Sequence, residues 1–297
     1  MPNLKVEERR VTSFDGTDIA YHVVGEGPAI MLGNGLGGSW KAWKHQIAYL
    51  SDRYRFISWD YRGLYRSGPP ADKKALAVPD HVKDALVILE HEKIERTAFL
   101  GWSMGVQVGI ELFRVAPERI ATFVLINGVA GRPWETVLDM RAMKSVVPRM
   151  LGAARTMPGV IAAVTRKMVT WPETAGWAKR MGLASKTLDE ELWGELAGSF
   201  KDLDMDVYVQ VLQRLGDHDG WDVLPTIDVP TLVIAGDRDM FTPRSASERM
   251  VHAIPGSELM VVPGGTHYAA VEYPELINLR IEKFFRERGY ASPRSPG

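Results

Sequence analysis

The stretch "AFLGWSMGVQVG", Ala98 to Gly109, seats a serine between two large apolar residues, Trp102 and Met104, and brackets the three with Gly101 and Gly105. The apolar run before it has the character of a buried strand, and the segment after it reads as a helix. Gly-x-Ser-x-Gly by itself is a common pentapeptide. Between a strand and a helix it gains a mechanical meaning. The chain turns sharply, the serine at the apex is held in a strained conformation, and the flanking glycines remove side chains that would collide across the turn. The hydroxyl is lifted out of the core above a helix N-terminus, where developing negative charge is favoured. Ser103 is therefore a candidate nucleophile.

Other apolar runs repeat the strand signal on both sides of this turn. They are "AIMLGNG" from Ala29, "RFISWD" from Arg55, "ATFVLING" from Ala121, "TLVIAGD" from Thr231 and "ELMVVPGG" from Glu258. Continuous apolar runs of this length suit strands buried on both faces, as in a parallel sheet. Helical patterns lie between them. In "PDHVKDALVILEHEKI" the residues Val82, Ala85, Leu86 and Leu89 form one apolar stripe, and Pro79 suits a first turn. "PELINLRIEKFFRERG" from Pro274 repeats the pattern and stops at Gly289. The opening "VEERRVTSFDGTDIAYHVVGEG" reads as an antiparallel hairpin turning at Asp15-Gly16. Strand–helix alternation predicts an α/β fold with a mainly parallel sheet.

Between about Arg132 and Pro225 the alternation stops and the chain becomes helical in character, rich in tryptophan and methionine. The expected organisation is a core of residues 1–131 and 226–297 interrupted by a helical insertion, 132–225. Basic residues such as Arg141, Lys144, Arg155, Arg166 and Lys179 dominate the first half of the insertion, and acidic ones such as Asp189, Glu190, Glu195 and Asp204 the second. Such runs read as solvated helical faces that attract each other. The tail "RGYASPRSPG" from Arg288 reads as disordered.

Composition narrows the function. With 297 residues, 45% hydrophobic and 25% charged, the chain can bury a sizeable core. A net charge of −1 argues against a nucleic-acid binder. The absence of cysteine excludes disulfides, thiolate metal sites and a cysteine nucleophile. The charged N-terminus lacks the apolar core of a signal peptide, and no run approaches the ~20 apolar residues of a membrane span. The expectation is a soluble cytoplasmic protein acting on a small molecule.

A serine hydroxyl needs a base to remove its proton. Of seven histidines, His267 stands in a glycine-rich turn, "PGGTHYAAVEYP", just past the last strand-like run. A carboxylate should orient it. "VIAGDRDMFTP" offers Asp237 and Asp239; the frame from Gly236 through Asp239 to Pro243 favours Asp239, leaving Asp237 to turn contacts. Asn127 and Gly128, at the end of the run from Ala121, supply no acid. Two backbone N–H donors should hold an oxyanion. Met104, directly after the serine, offers one, and Leu36 in "GNGLGGSW" the other. Asn34, Trp40 and Trp102 are expected to line the substrate pocket.

The arrangement resembles the α/β-hydrolase superfamily, in the branch with a helical cap, over nearly the whole chain. Serine, acid and histidine follow in that family's order. "WDYRGLYRSG" from Trp59 resembles its Asp-x-Arg-Gly-x-Gly-x-Ser turn, with Asp60, Arg62, Gly63, Ser67 and Gly68 in place as structural residues. Three positions depart from the pattern. Asn34 stands where a histidine is usual, Tyr65 replaces the second glycine of the turn, and Val106 replaces a second glycine after Gly105. The resemblance implies an inserted cap and a carboxylic-ester hydrolase that needs no metal or organic cofactor. A lactonase, a carbon–carbon bond hydrolase, an aminopeptidase, an acyltransferase or a perhydrolase would use the same residues. An aminopeptidase would want acidic cap residues, such as Glu195 or Asp204, for the substrate amine. Dehalogenases and epoxide hydrolases of this type carry aspartate where Ser103 stands. A ligand receptor on the same fold is the alternative outside enzymes.

Overall fold

The computed structural model describes residues 5–135 and 173–290, with Trp171 and positions 146, 149, 150, 152, 159, 163 and 167 between them. The N-terminal hairpin is β1 (Glu7–Thr12) and β2 (Asp18–Val24), and Gly16 at its turn takes φ +84°. The apolar runs form β3 (Ala29–Gly33), β4 (Arg55–Trp59), β5 (Thr97–Trp102), β6 (Ile120–Ile126), β7 (Thr231–Gly236) and β8 (Glu258–Val262). All eight join one sheet in the order β1-β2-β4-β3-β5-β6-β7-β8. β2 pairs antiparallel with β1 and β4, and every other pairing is parallel.

Alternation along the strands divides the core into two faces. Met31, Ile57, Phe99 and Phe123 pack on one side with α2 (Val78–His91), α3 (Met104–Val115) and α7 (Arg244–Ala253). Ile30, Phe56, Leu100 and Val124 pack on the other with α1 (Lys44–Leu50) and α9 (Pro274–Glu287). The stripe of α2 faces the core at Val82, Ala85 and Leu89, with Leu86 at its margin and Pro79 in the first turn. α9 ends at Glu287, two residues before Gly289 at φ +71°. A one-turn helix, α8 (Ala269–Glu272), precedes it.

Between β6 and β7 the described chain is helical: α4 (Thr174–Arg180), α5 (Glu190–Ser199) and α6 (Met205–Asp217). Asp189 and Asp204 cap the last two by accepting backbone N–H groups of the first turn. The charge asymmetry is only partly internal to this segment. Lys179 pairs with Glu190, but Glu195 pairs with Lys44 and Asp189 with His45, both on α1. Arg141, Lys144, Arg155 and Arg166 lie outside the described residues. The expectation of a disordered tail fails at Tyr290, whose hydroxyl accepts the Ala98 N–H at 2.9 Å and donates to the Ala29 carbonyl. The rest of that tail, 291–297, lies outside the described residues. No helix among the described residues is long and apolar enough to cross a membrane.

Candidate active site

Ser103 closes β5 and opens α3 with φ +55° and ψ −115°, a conformation that non-glycine residues adopt only under constraint. The constraint is close approach of three backbones. A Cβ on Gly105 would lie 2.0 Å from the Gly33 carbonyl oxygen, and one on Gly101 would lie 2.6 Å from that of Gly105. The elbow, β3 and the start of α3 therefore touch with no side chain between them. Val106, bulkier than the usual glycine, is fully buried in a space that Gly128 leaves open; a Cβ there would lie 2.3 Å from Val106 Cγ2.

The turn after β8 brings His267 Nε2 to 2.9 Å from Ser103 Oγ. On its other side, Nδ1 lies 2.8 Å from Oδ2 of Asp239, in the turn after β7. Asp239 is buried and heavily bonded. Oδ1 accepts the N–H groups of Phe241 and Thr242 at 2.8 and 2.9 Å, and Oδ2 also accepts Asn127 Nδ2 at 2.7 Å and Thr242 Oγ1 at 2.6 Å. Burial pushes this carboxyl up, yet the neighbouring imidazole and the donated hydrogen bonds outweigh it and hold Asp239 below the ordinary aspartate value. Asp237 is exposed, and its Oδ1 accepts the Gly264 N–H at 2.7 Å, tying the β7 turn to the β8 turn. Buried Glu272 accepts the Thr266 N–H and hydroxyl at 2.8 and 2.6 Å and so braces the residue before His267. It also accepts the Ser185 N–H, from the helical segment between β6 and β7, at 2.7 Å.

The loop after β3 is equally fixed. Asn34 was expected in the pocket, and the structure corrects this. It is fully buried, donates to Ser58 and to the Trp59 carbonyl, and accepts the Trp43 indole N–H at 2.9 Å. A buried amide must be satisfied, so the side chain turns inward to knit the loop to β4. The Gly38 N–H donates to the Gly35 carbonyl at 2.8 Å, closing a turn in which Gly37 takes φ +73°, the left-handed region that glycine allows. Among the described residues the N–H groups of Leu36 and Met104 have no protein acceptor.

Between the Leu36 loop and Trp102, the residue before Ser103, lies a cavity of about 190 Å³ whose walls also include Trp193, Leu196, Phe200 and Tyr268. A second, of about 150 Å³, is lined by Trp177, Leu183, Trp193, Phe241 and Tyr268. Trp102 donates its indole N–H to the His267 carbonyl at 2.9 Å, and the Phe241 ring stands 5.2 Å from the imidazole. Trp40, also expected in the pocket, lines neither cavity and packs against His22, with ring centroids 5.9 Å apart. Reading by motif overlooked Asn127 and Thr242 as partners of Asp239. The spacing Asp-x-x-Thr was a usable signal for Thr242, since aspartate often accepts N–H groups two and three residues on. Nothing local pointed to a site role for Asn127, Phe200 or Tyr268, whereas Trp193 belongs to the tryptophan-rich stretch 132–225. Among the described residues no group of three or more acidic or histidine side chains is placed to hold a metal.

Comparison with known proteins agrees with this architecture. Residues 28–274 match the family described as the alpha/beta hydrolase fold. A protein from Caulobacter sp. (strain K31) with the provisional name carbamate hydrolase RutD is 29% identical over 277 residues, covering 90% of this chain and 96% of its own. Its namesake from Agrobacterium fabrum is 27% identical over 270 residues, covering 87% and 93%. A solved hydrolase from Pseudomonas aeruginosa PA01 superposes with a TM-score of 0.75 at 25% identity, covering 96% of this chain and 98% of its own. An enol-lactonase from Burkholderia xenovorans LB400 shares the fold with a TM-score of 0.73 at 24% identity, covering 94% and 100%. The chain belongs to the α/β-hydrolase fold family.

Proposed function

We propose that the protein is a serine hydrolase that cleaves a small to medium, apolar carboxylic ester through an acyl-enzyme. The observation that carries this reading is the unbroken line of hydrogen bonds from Ser103 through His267 to Asp239. Ser103 Oγ attacks the acyl carbon as its proton passes to His267 Nε2. The oxyanion accepts the N–H groups of Leu36 and Met104. Collapse breaks the ester C–O bond, and His267 gives its proton to the departing alkoxide. Water then adds to the acyl carbon and yields a proton to His267. Ser103 leaves, recovers that proton, and the acid is released. Asp239, held ionised, fixes the imidazole tautomer and stabilises the imidazolium. In this reading residues 132–225 cap a core formed by 1–131 and 226–297, and Trp193, Leu196 and Phe200 supply the cap's wall of the cavity. A cytoplasmic location accords with a chain free of cysteine.

The names of the sequence relatives favour a second reading, hydrolysis of a carbamate, in which the same serine would carry a carbamoyl group. An aminopeptidase loses ground, because Glu195 is paired with Lys44 and Asp204 is occupied as a helix cap. Purified protein and Ser103→Ala are to be assayed on p-nitrophenyl butyrate, a lactone and an O-aryl carbamate. The proposal expects ester turnover that falls by several orders of magnitude in folded Ser103→Ala. Undiminished turnover in that variant would remove the serine, and faster turnover of the carbamate than of the ester would install the second reading.

A further inference from the structure

The departure at Tyr65 has a use in the loop that bears Leu36. Tyr65 sits in the turn after β4 at φ +50°, where the family pattern has a glycine, and its ring is partly buried against the core. A tyrosine held in the left-handed region is a strained choice, which calls for a compensating interaction. Its hydroxyl donates to the Gly37 carbonyl and also lies 3.4 Å from Ser199 Oγ at the end of α5. From the same turn, the Tyr61 hydroxyl donates to the Asn34 carbonyl at 2.7 Å. The carbonyls flanking Leu36 in the chain, at 34 and at 37, are thus both pinned by tyrosyl hydroxyls.

The bonding runs further through two peptide units. The Gly37 carbonyl and the Gly38 N–H belong to one peptide plane. That Gly38 N–H donates to the Gly35 carbonyl. The Gly35 carbonyl in turn shares its plane with the Leu36 N–H. A chain therefore runs from the Tyr65 hydroxyl through two peptides to a backbone donor with no protein acceptor of its own. Hydrogen bonds in series polarise one another, and each also fixes the plane of the next. Without the first link, a Gly-Leu-Gly-Gly turn has freedom to rotate its peptides, because its three glycines tolerate either sign of φ.

We infer that Tyr65 is a positioning residue that orients and polarises the Leu36 N–H as an oxyanion donor through the Gly37–Gly38 and Gly35–Leu36 peptides. This rests on the acyl-enzyme reading and names the part of the chain that makes one half of its oxyanion hole. A misaligned donor weakens binding of the oxyanion more than binding of the ground-state carbonyl.

The test compares Tyr65→Phe, Ser199→Ala, Ser103→Ala and wild type. The readouts are p-nitrophenyl butyrate kinetics, inhibition by an alkyl trifluoromethyl ketone (which forms an anionic hemiketal on the serine) and amide exchange at Gly38. In Tyr65→Phe we expect kcat to fall about tenfold with KM within a factor of two, the affinity for the ketone to fall by a similar factor, and Gly38 exchange to accelerate. Ser199→Ala should stay within a factor of two of wild type in every readout. Wild-type kcat and ketone affinity in Tyr65→Phe would overturn the inference, as would a rise in KM alone, or an equal loss in Ser199→Ala, which would trace the effect to the inserted segment. Turnover that survives Ser103→Ala would instead remove the acyl-enzyme reading beneath it. Gly38 exchange needs no turnover, so it still decides whether Tyr65 holds the loop.

Discussion

At the scale of single residues, the site depends on how one carboxylate is kept charged while buried. Asp239 is closed to solvent, yet four donated hydrogen bonds and an adjacent imidazole hold its proton off. Asp239→Asn leaves the shape but can present a donor to His267 Nδ1 and so select the wrong tautomer. A loss of about 10⁴ in kcat is expected, by analogy with the serine-protease aspartate. Asp237→Asn, which alters only an exposed turn contact, should stay within roughly threefold. Steady-state assay of the two variants checks this, and a reversed order would reassign the acid. Asn127 offers a finer probe. Its amide lies 2.7 Å from Asp239 Oδ2, and its φ of +46° is one that aspartate tolerates. Asn127→Asp would set two carboxyls in one site, where both cannot ionise together. The acid limb of the kcat/KM profile should then move to higher pH, with activity at pH 7 down by about tenfold or more. A profile unchanged from wild type would mean that Asn127 does not bear on the Asp239 charge. Ser103, His267 and Asp239 were legible in the sequence because each lies in a turn directly after a strand-like run. Asn127 was legible only as a position where no acid stood, since its role depends on β6 lying beside β7.

At the scale of elements, the elbow shows how a departure from a family pattern is absorbed elsewhere. A glycine after Gly105 would let α3 pack closely; Val106 takes that place, and the relief comes from Gly128 after β6. The two positions are 22 residues apart in sequence and meet only because β5 and β6 are paired, with Trp102 opposite Ile126. Gly128→Ala would drive a methyl into Val106 at 2.3 Å and should destabilise by about 1–3 kcal/mol. The double variant Gly128→Ala with Val106→Gly should lose less than the sum of the two single variants, because it relieves the Val106 contact, while the 2.8 Å approach to the Ser103 carbonyl oxygen and the roughly 1 kcal/mol cost of a helical glycine remain. Urea unfolding of the two single variants and the double measures the coupling. Additive losses would show that the contact is not what permits valine there. The strands and the two long helices α2 and α9 were legible, because their periodicity is set by burial on the sheet. The Val106–Gly128 exchange was not, because no local pattern says which strand ends will touch.

At the scale of the whole molecule, the helical segment between β6 and β7 meets the rest of the chain through contacts between residues distant in sequence. Lys44–Glu195, His45–Asp189 and Ser185–Glu272 each join residues that no sequence pattern relates, which is why charge asymmetry was readable and its partners were not. The same holds for two ionisable groups buried in the core away from Ser103. Asp60 lies in the turn after β4, and burial pushes its carboxyl up to about 7, only partly offset by the Arg66 N–H. His81 lies inside α2 under the Tyr61 ring, and burial, with the Arg62 guanidinium nearby, lowers it to about 3. Their effects on stability oppose each other. Between about pH 4 and 7 the folded chain holds a proton on Asp60 that the unfolded chain has lost, so this group makes stability fall as pH rises. Between about pH 3 and 6.5 the unfolded chain holds a proton on His81 that the folded chain lacks, so this group makes stability rise with pH. Each slope is at most about 1.4 kcal/mol per pH unit, and across pH 4–6.5 they cancel in large part. Removing either should expose the other. Relative to wild type, Asp60→Asn should gain stability as pH rises through that window, and His81→Phe should lose it. Urea unfolding free energies at pH 4.5, 5.5 and 6.5 for the three proteins check this. Variants whose stability runs parallel to wild type at all three values would mean that neither group changes its proton affinity on folding.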